Sequence, residues 1–366
     1  MTQQALLTPV KLGPYELRNR VVMAPMTRDR ADNPELAPTA MHAEYYAQRA
    51  SAGLIISEGS QISPQGTGYI YTPGIYSDAQ VKGWEQVTDA VHARGGRIFL
   101  QLWHVGYVSH PDFHNGALPV SASALDPMTK TYTPKGLMKE TVASRALGTA
   151  EVKQVVQDFA RGAKNAMAAG FDGVEIHGAN GYLIEQFLRD GTNLRADEYG
   201  GGIPDRSRFL FEVVEAVSKV AGAERTGLRL SPANTWNVPA DKDTRALYDY
   251  VVGKLSGYEL AYLHLREPPG DVSAIPNMVA NVTEHYRGIY KGTLITNTAY
   301  DQSKGNAVIG KGLADLVAFG VPFIANPDLV ERFRTGAPLA TPDQATFYTP
   351  GAKGYTDYPA LKAAAA

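Results

Sequence analysis

Three polar side chains lie close together in the segment GVEIHGANGYLIEQFL (173–188), namely His177, Asn180 and Tyr182. They follow an alternating apolar run that predicts a buried strand, and a helical apolar pattern begins after them. Histidine and asparagine can both donate to one oxygen on which charge develops, and a tyrosine beside them can deliver a proton. Taken alone, a His-x-x-Asn pair is more typical of a structural or capping role, because both are ordinary loop residues, and the whole segment is more specific than the pair.

A short apolar run followed by a helical pattern recurs along the chain. The strand candidates are 21–24, 53–57, 97–103, 173–177, 226–230, 261–265, 293–296 and 316–319. Eight strands alternating with helices predict a (β/α)₈ TIM barrel, with residues 1–366 as a single domain. A doubly wound open sheet is the alternative, but the first strand lacks the glycine-rich turn that such folds usually place there.

Residues 111–147 interrupt the alternation. This segment is too long for a simple connection and is rich in proline, serine and threonine. It predicts an excursion over the barrel mouth, in the form of a hairpin lid. The closing alanine run at 363–366 is expected to be a frayed tail.

Composition narrows the class of protein and its partners. A net charge of −2 gives no electrostatic reason to expect nucleic acid or an anionic membrane. The absence of cysteine excludes disulfides, iron–sulfur clusters, thiolate zinc sites and a cysteine nucleophile. The N-terminus lacks signal-peptide features, and no apolar run approaches the ~18–20 residues that span a bilayer. We therefore expect a cytoplasmic monomer or homodimer.

Side chains at the carboxyl ends of the predicted strands discriminate between chemistries, because barrel sites form there. Glu58 and Glu175 are almost the only carboxylates, and nothing pairs them. Glycoside hydrolysis needs two carboxylates across the scissile bond, so a glycosidase is not expected. His104 and His177 lack acidic neighbours, so no metal is expected, and no strand carries a lysine for a Schiff base. Neutral donors, an amide, an arginine and aromatic rings remain, and these suit a flat cofactor with polar edges.

Two strand residues fit such a cofactor. Gln101 can satisfy a neighbouring acceptor and donor along the pyrimidine edge of a flavin. Arg229 lies between Leu228 and Leu230, where a buried charge is costly unless paired. It binds either an anionic reduced ring or a nearby acid in a buried salt bridge. Tyr69, in an aromatic loop after the second strand, either lines the pocket or packs on the rim.

Small residues end the seventh and eighth strands, as Thr298-Ala299 and Phe319-Gly320. In barrels these two loops frequently form a phosphate site with the N-terminus of a short helix. Gly320 would let the backbone approach a phosphate closely.

Long stretches in order along nearly the whole chain resemble the Old Yellow Enzyme family of FMN-dependent ene-reductases. They are NRVVMAPMTR (19–28), MHAEYYAQRASAGLIISEGSQIS (41–63), GRIFLQLWHVG (96–106), AGFDGVEIHGANGYLIEQFLRDGTNLRADEYGG (169–201), LRLSP (228–232), KGLADLVAFGVPFIANPDL (311–329) and GYTDYP (354–359).

The resemblance implies an FMN enzyme that takes hydride from NAD(P)H and reduces activated alkenes such as enals, enones and maleimides. His177 and Asn180 would hold the substrate carbonyl oxygen, and Tyr182 would protonate the α-carbon. The implied cofactor contacts are Pro25, Met26, Thr27, Gly59, Gln101, His177, Arg229, Thr298, Ala299, Gly320 and Val321. The implied substrate pocket consists of Tyr69, Trp103 and Tyr355.

The chain departs from the family pattern at the phosphate end. Val321 stands where the family usually has an arginine, and Thr298-Ala299 stands where it has two glycines. Loss of the arginine predicts weaker FMN binding by about 2 kcal/mol, the scale of a charged hydrogen bond, unless a nearby lysine or arginine substitutes for it. A non-catalytic FMN-binding or ligand-binding barrel and a flavin-free barrel lyase are the alternative functions.

Overall fold

Eight parallel strands close into a barrel in the computed structural model, which describes residues 4–239 and 241–361. The strands are β1 Val21–Met23, β2 Leu54–Gln61, β3 Ile98–Trp103, β4 Gly173–His177, β5 Thr226–Leu230, β6 Tyr262–Arg266, β7 Leu294–Asn297 and β8 Leu316–Phe319. Each strand pairs with the next, and β8 pairs with β1. The predicted barrel fold is therefore confirmed, although β2 runs four residues further than the predicted 57.

Helices follow the strands and cover the outside of the barrel. They are α1 Ala40–Gln48, α2 Asp78–His92, α3 Thr149–Ala168, α4 Leu183–Leu188, α5 Ile203–Arg206, α6 Arg208–Ala221, α7 Thr244–Leu255, α8 Val282–Ile289, α9 Gln302–Gly310, α10 Val321–Ala325 and α11 Leu329–Thr335. Within the described parts of the chain, none of these helices has the length and apolarity needed to cross a membrane.

The alternation of side chains along the strands creates a polar layer inside the barrel. In β4, Val174 and Ile176 belong to the main apolar core with the helices. Glu175 and His177 therefore face the barrel interior, because successive strand residues point to opposite sides. The same alternation turns Arg229 of β5 inward. Polar groups thus collect at the carboxyl ends of the strands.

A separate apolar cluster fills the other end of the barrel interior. It includes Phe99 and Tyr262, whose ring centroids lie 5.8 Å apart. Leu12 and Leu17 of an N-terminal hairpin, formed by Val10–Leu12 and Tyr15–Leu17, join the same cluster. This apolar packing fills that end of the barrel and leaves the polar layer at the carboxyl ends of the strands.

The excursion at 111–147 contains an antiparallel hairpin of Lys130–Tyr132 with Met138–Glu140. The Thr131 hydroxyl donates to the carbonyl oxygen of Gly68 at 3.1 Å, so the hairpin contacts the loop after β2. Its action as a lid stays a prediction, as does the assignment of the whole chain to a single domain. The expected tail at 363–366 lies outside the described residues.

Candidate active site

A cavity of about 290 Å³ opens at the carboxyl ends of the strands. All predicted site residues line it except Tyr69, Thr298, Ala299 and Tyr355. Five further residues that the sequence did not single out also line it, namely Arg28, Trp236, Ile324, Phe347 and Tyr348. The barrel therefore brings most of the predicted set together in one place.

His177 is held as a neutral hydrogen-bond donor. The backbone N–H of Ala179 donates to Nδ1 of His177 at 3.3 Å, so Nδ1 carries no proton and Nε2 does. Burial lowers the pKa of His177 well below its usual value, and the charge of Arg229 lowers it further. The imidazole is consequently uncharged near pH 7 and can donate from Nε2.

Asn180 places a second donor beside the first. Its Nδ2 lies 3.5 Å from Nε2 of His177. Because both nitrogens carry hydrogen, neither satisfies the other, and both can donate to a single acceptor in the cavity. Asn180 adopts a left-handed backbone conformation with φ of 60°, which asparagine tolerates better than most residues.

The loop that carries these donors is anchored by Glu185 of α4, a fully buried side chain. One carboxylate oxygen accepts from the backbone N–H of Gly181 at 2.7 Å and from the Ser231 hydroxyl at 2.9 Å. The other accepts from the Arg189 guanidinium at 2.7 Å and from the Tyr248 hydroxyl at 3.1 Å. With Asn234, which donates from Nδ2 at 3.4 Å, five residues fix this carboxylate, and the carboxylate in turn fixes the loop.

Tyr182 presents a protonated phenol to the cavity. Its hydroxyl lies 3.0 Å from the hydroxyl of Tyr69. Burial raises the pKa of Tyr182 well above 10 and raises the pKa of Tyr69 to about 12. Tyr69 also stacks on Trp103, with ring centroids 5.3 Å apart. Tyr69 does not line the cavity itself, but it contacts Tyr182 and Trp103, which do.

Gly59 makes room for the Trp103 ring. The pairing of β2 with β3 shifts register between Ile56 and Gly59. A side chain at Gly59 would begin only 2.7 Å from the indole, closer than carbon atoms pack. Glycine at this position therefore lets the strand and the aromatic ring form one wall of the cavity.

Arg229 lies buried at the base of the cavity with spare donor capacity. Its Nη2 donates to the side-chain oxygen of Asn297 at 2.9 Å, and its Nε has no partner. Burial lowers the pKa of the guanidinium to about 10, while the negative charge of Glu175 opposes this shift. Because Nε has no partner among the described residues, its N–H remains available to an electron-rich edge of a ligand.

Glu58 and Glu175 each have hydrogen-bond partners inside the fold. Glu175 accepts from Nε2 of Gln101 at 2.7 Å and lies 2.8 Å from Nδ1 of His264. Glu58 accepts from the Tyr46 hydroxyl at 3.2 Å. Burial raises the pKa of Glu58 to about 7. The partners of Glu175 lie 74 and 89 residues away in the chain, so sequence spacing does not reveal them.

The phosphate end of the predicted site has an unusual backbone. Thr298 and Ala299 both adopt left-handed conformations, with φ of 84° and 61°. Such conformations cost about 1–3 kcal/mol each in residues with a side chain, so they indicate a functional constraint. Beside this loop, Val321 begins α10 and is 54% exposed. The Lys304 ammonium lies 3.3 Å from the carbonyl oxygen of Ala299 and brings a positive charge to the loop.

Tyr355 is not among the residues that line the cavity, and its part in the substrate pocket stays a prediction. Its ring is fully buried, stacks on Tyr45 at 3.9 Å between centroids, and lies 5.3 Å from the Arg28 guanidinium. Phe347 and Tyr348 of the same C-terminal segment line the cavity instead. Tyr355 packs this segment against the barrel through Tyr45. The overlooked signal in the sequence was the aromatic pair Phe347-Tyr348.

Comparisons with known proteins agree with the resemblance seen in the sequence. Residues 5–340 match the NADH:flavin oxidoreductase / NADH oxidase family. The chain is 46% identical to 12-oxophytodienoate reductase 1 of Oryza sativa subsp. japonica, over 98% of this chain and 93% of that protein.

Solved structures give the same result. Morphinone reductase in complex with tetrahydroNAD has a TM-score of 0.92 and 47% identity, covering 98% of both chains. An Old Yellow Enzyme homologue from Zymomonas mobilis has a TM-score of 0.93 and 42% identity, covering 98% of this chain and 100% of the other.

Proposed function

Because the chain belongs to the NADH:flavin oxidoreductase / NADH oxidase family, that of the Old Yellow Enzymes, we propose that it is an ene-reductase. It is an FMN-dependent oxidoreductase with a nicotinamide as hydride donor. The proposed substrates are α,β-unsaturated carbonyl compounds and similarly activated alkenes. Family membership favours this function over a non-catalytic ligand-binding barrel and over a flavin-free lyase.

The residues of the cavity fit FMN. The cavity volume of about 290 Å³ is close to the lower end of the range for small-molecule pockets, about 300–1,000 Å³. The unpartnered Nε of Arg229 and the amide of Gln101 suit the alternating acceptors and donor of a pyrimidine edge. The left-handed backbone at Thr298 and Ala299 can direct amide N–H groups at a phosphate. When bound, FMN accepts hydride from the nicotinamide and supplies it to the alkene.

The catalytic roles follow from the donors and the phenol. His177 and Asn180 donate to the substrate carbonyl oxygen and draw electron density from the β-carbon, where hydride arrives. One such donor changes the rate by about 10²–10³, by analogy with oxyanion holes of acyl transfer. Tyr182 gives its proton to the α-carbon, because its raised pKa keeps the phenol protonated. The supporting observation is that two donors 3.5 Å apart and this phenol line one cavity.

The experiment is an anaerobic reoxidation assay on the FMN-loaded protein. NADH or NADPH should bleach the flavin absorbance, and cyclohexenone should restore it with formation of cyclohexanone. Cyclohexanone added instead of the enone is the matched control and should restore nothing. If the nicotinamide bleaches the flavin but cyclohexenone, maleimide and an enal all fail to reoxidise it, the protein is a flavoprotein but not an ene-reductase.

A further inference from the structure

Glu175 is a fully buried carboxylate one inward-facing position below His177 on β4. It lies on the strand between β3, which carries Gln101, and β5, which carries Arg229. Gln101 donates from Nε2 to one carboxylate oxygen at 2.7 Å, and Nδ1 of His264 lies 2.8 Å from the other. A buried carboxylate therefore lies directly behind Gln101, which lines the cavity.

The hydrogen bonds of Glu175 determine how Gln101 is oriented. Burial lowers the pKa of His264, so its ring is neutral and donates from Nδ1. The Gln101 amide has its nitrogen toward Glu175, 2.7 Å from a carboxylate oxygen that accepts the hydrogen bond. The carbonyl oxygen of Gln101 is then the amide atom that is left to accept a hydrogen bond in the cavity.

The charge of Glu175 also acts on the cavity. Arg229 bonds to Asn297 and not to Glu175, so the carboxylate is not neutralised through a direct contact with the guanidinium. In the barrel interior, where the dielectric constant is low, a negative charge at this depth is poorly screened. A ligand that gains negative charge on reduction is reduced less readily beside it.

We propose that Glu175 is a positioning residue for the cofactor: it directs the Gln101 carbonyl oxygen at the N–H of the flavin pyrimidine edge, and its charge lowers the midpoint potential of bound FMN. This inference rests on the proposed contact of Gln101 with the flavin. A lower potential makes the reduced cofactor a stronger hydride donor to an alkene. The carboxylate thus favours hydride transfer to the alkene over reduction of FMN by the nicotinamide.

The test is the midpoint potential of bound FMN, measured by dye-coupled photoreduction without nicotinamide or alkene. Glu175→Gln keeps the shape and removes the charge, and we expect about a tenfold shift of the equilibrium toward reduced flavin, or about 30 mV more positive. Asp172→Asn is the control. Asp172 is a buried carboxylate at the opposite end of β4, paired with Arg97, and its removal should leave the potential unchanged.

An unchanged or more negative potential in Glu175→Gln would overturn the role of the charge. Because the measurement uses neither substrate, its result is independent of whether the protein reduces alkenes. If Glu175→Gln does not retain FMN, the orientation of Gln101 is tested on the unaltered chain with 3-methyl-FMN, which lacks the pyrimidine N–H. We expect about tenfold weaker binding than FMN, and equal binding would overturn the proposal.

Discussion

Replacement of Tyr182 by phenylalanine separates proton donation from packing. The Tyr182 hydroxyl has one hydrogen bond, to Tyr69 at 3.0 Å, and the loss of such a bond costs about 1 kcal/mol, or less than tenfold in any rate it supports. A general acid contributes about 10²–10⁴, which is clearly larger. Tyr182→Phe should therefore slow reoxidation by cyclohexenone by at least about a hundredfold.

The assay is anaerobic stopped-flow of each half-reaction. Reduction by NADH or NADPH needs no proton from Tyr182 and should change by less than about threefold. Tyr69→Phe is the matched control, since it breaks the same hydrogen bond but keeps the phenol of Tyr182, and it should slow reoxidation by less than about tenfold. If Tyr182→Phe and Tyr69→Phe slow reoxidation equally, Tyr182 is not the acid.

Three further predictions concern the donors and the phosphate end. His177→Ala should weaken the binding of an added phenolic ligand by about ten- to a hundredfold, as measured from the change in the flavin spectrum. Unchanged affinity for this ligand would contradict the role of His177. Because burial lowers the pKa of His177 well below 6.5, the ring stays neutral as pH falls from 8 to 6. The affinity for cyclohexenone should then be constant over this range, whereas a titration step near 6.5 would refute the neutral donor. Val321→Arg should tighten binding of FMN to the apoprotein by about tenfold and leave riboflavin unaffected, since only FMN has the phosphate. An equal gain for riboflavin would show that residue 321 does not meet the phosphate.

The barrel could be predicted because each strand is a short apolar run whose partners are its neighbours in sequence. The strand boundaries agree to within one residue, with the exception of β2. Its extension to Gln61 depends on the irregular pairing near Gly59 and on the Trp103 ring packed there. That packing is a tertiary contact, which an apolar pattern does not encode.

The cavity lining could be predicted where a residue follows a strand, and not where a distant loop supplies it. Trp236, Phe347 and Tyr348 reach the cavity from segments whose course is set by packing against the barrel. The inward position of Glu175 is visible in the alternation of Val-Glu-Ile-His, but its partner Gln101 is 74 residues away. Sequence spacing therefore gave the residue and missed its hydrogen bond.

The C-terminal segment contributes Phe347 and Tyr348 to the wall of the cavity, although the last strand of the barrel ends much earlier, at Phe319. Arg28 and Arg30 both donate to the backbone carbonyl of Phe347, across 319 and 317 positions of the chain. On the ribosome, all eight strands emerge before this wall of the cavity does. This wall of the cavity is thus joined to a barrel whose strands have all been synthesised, and two arginines that follow the first strand bind it there.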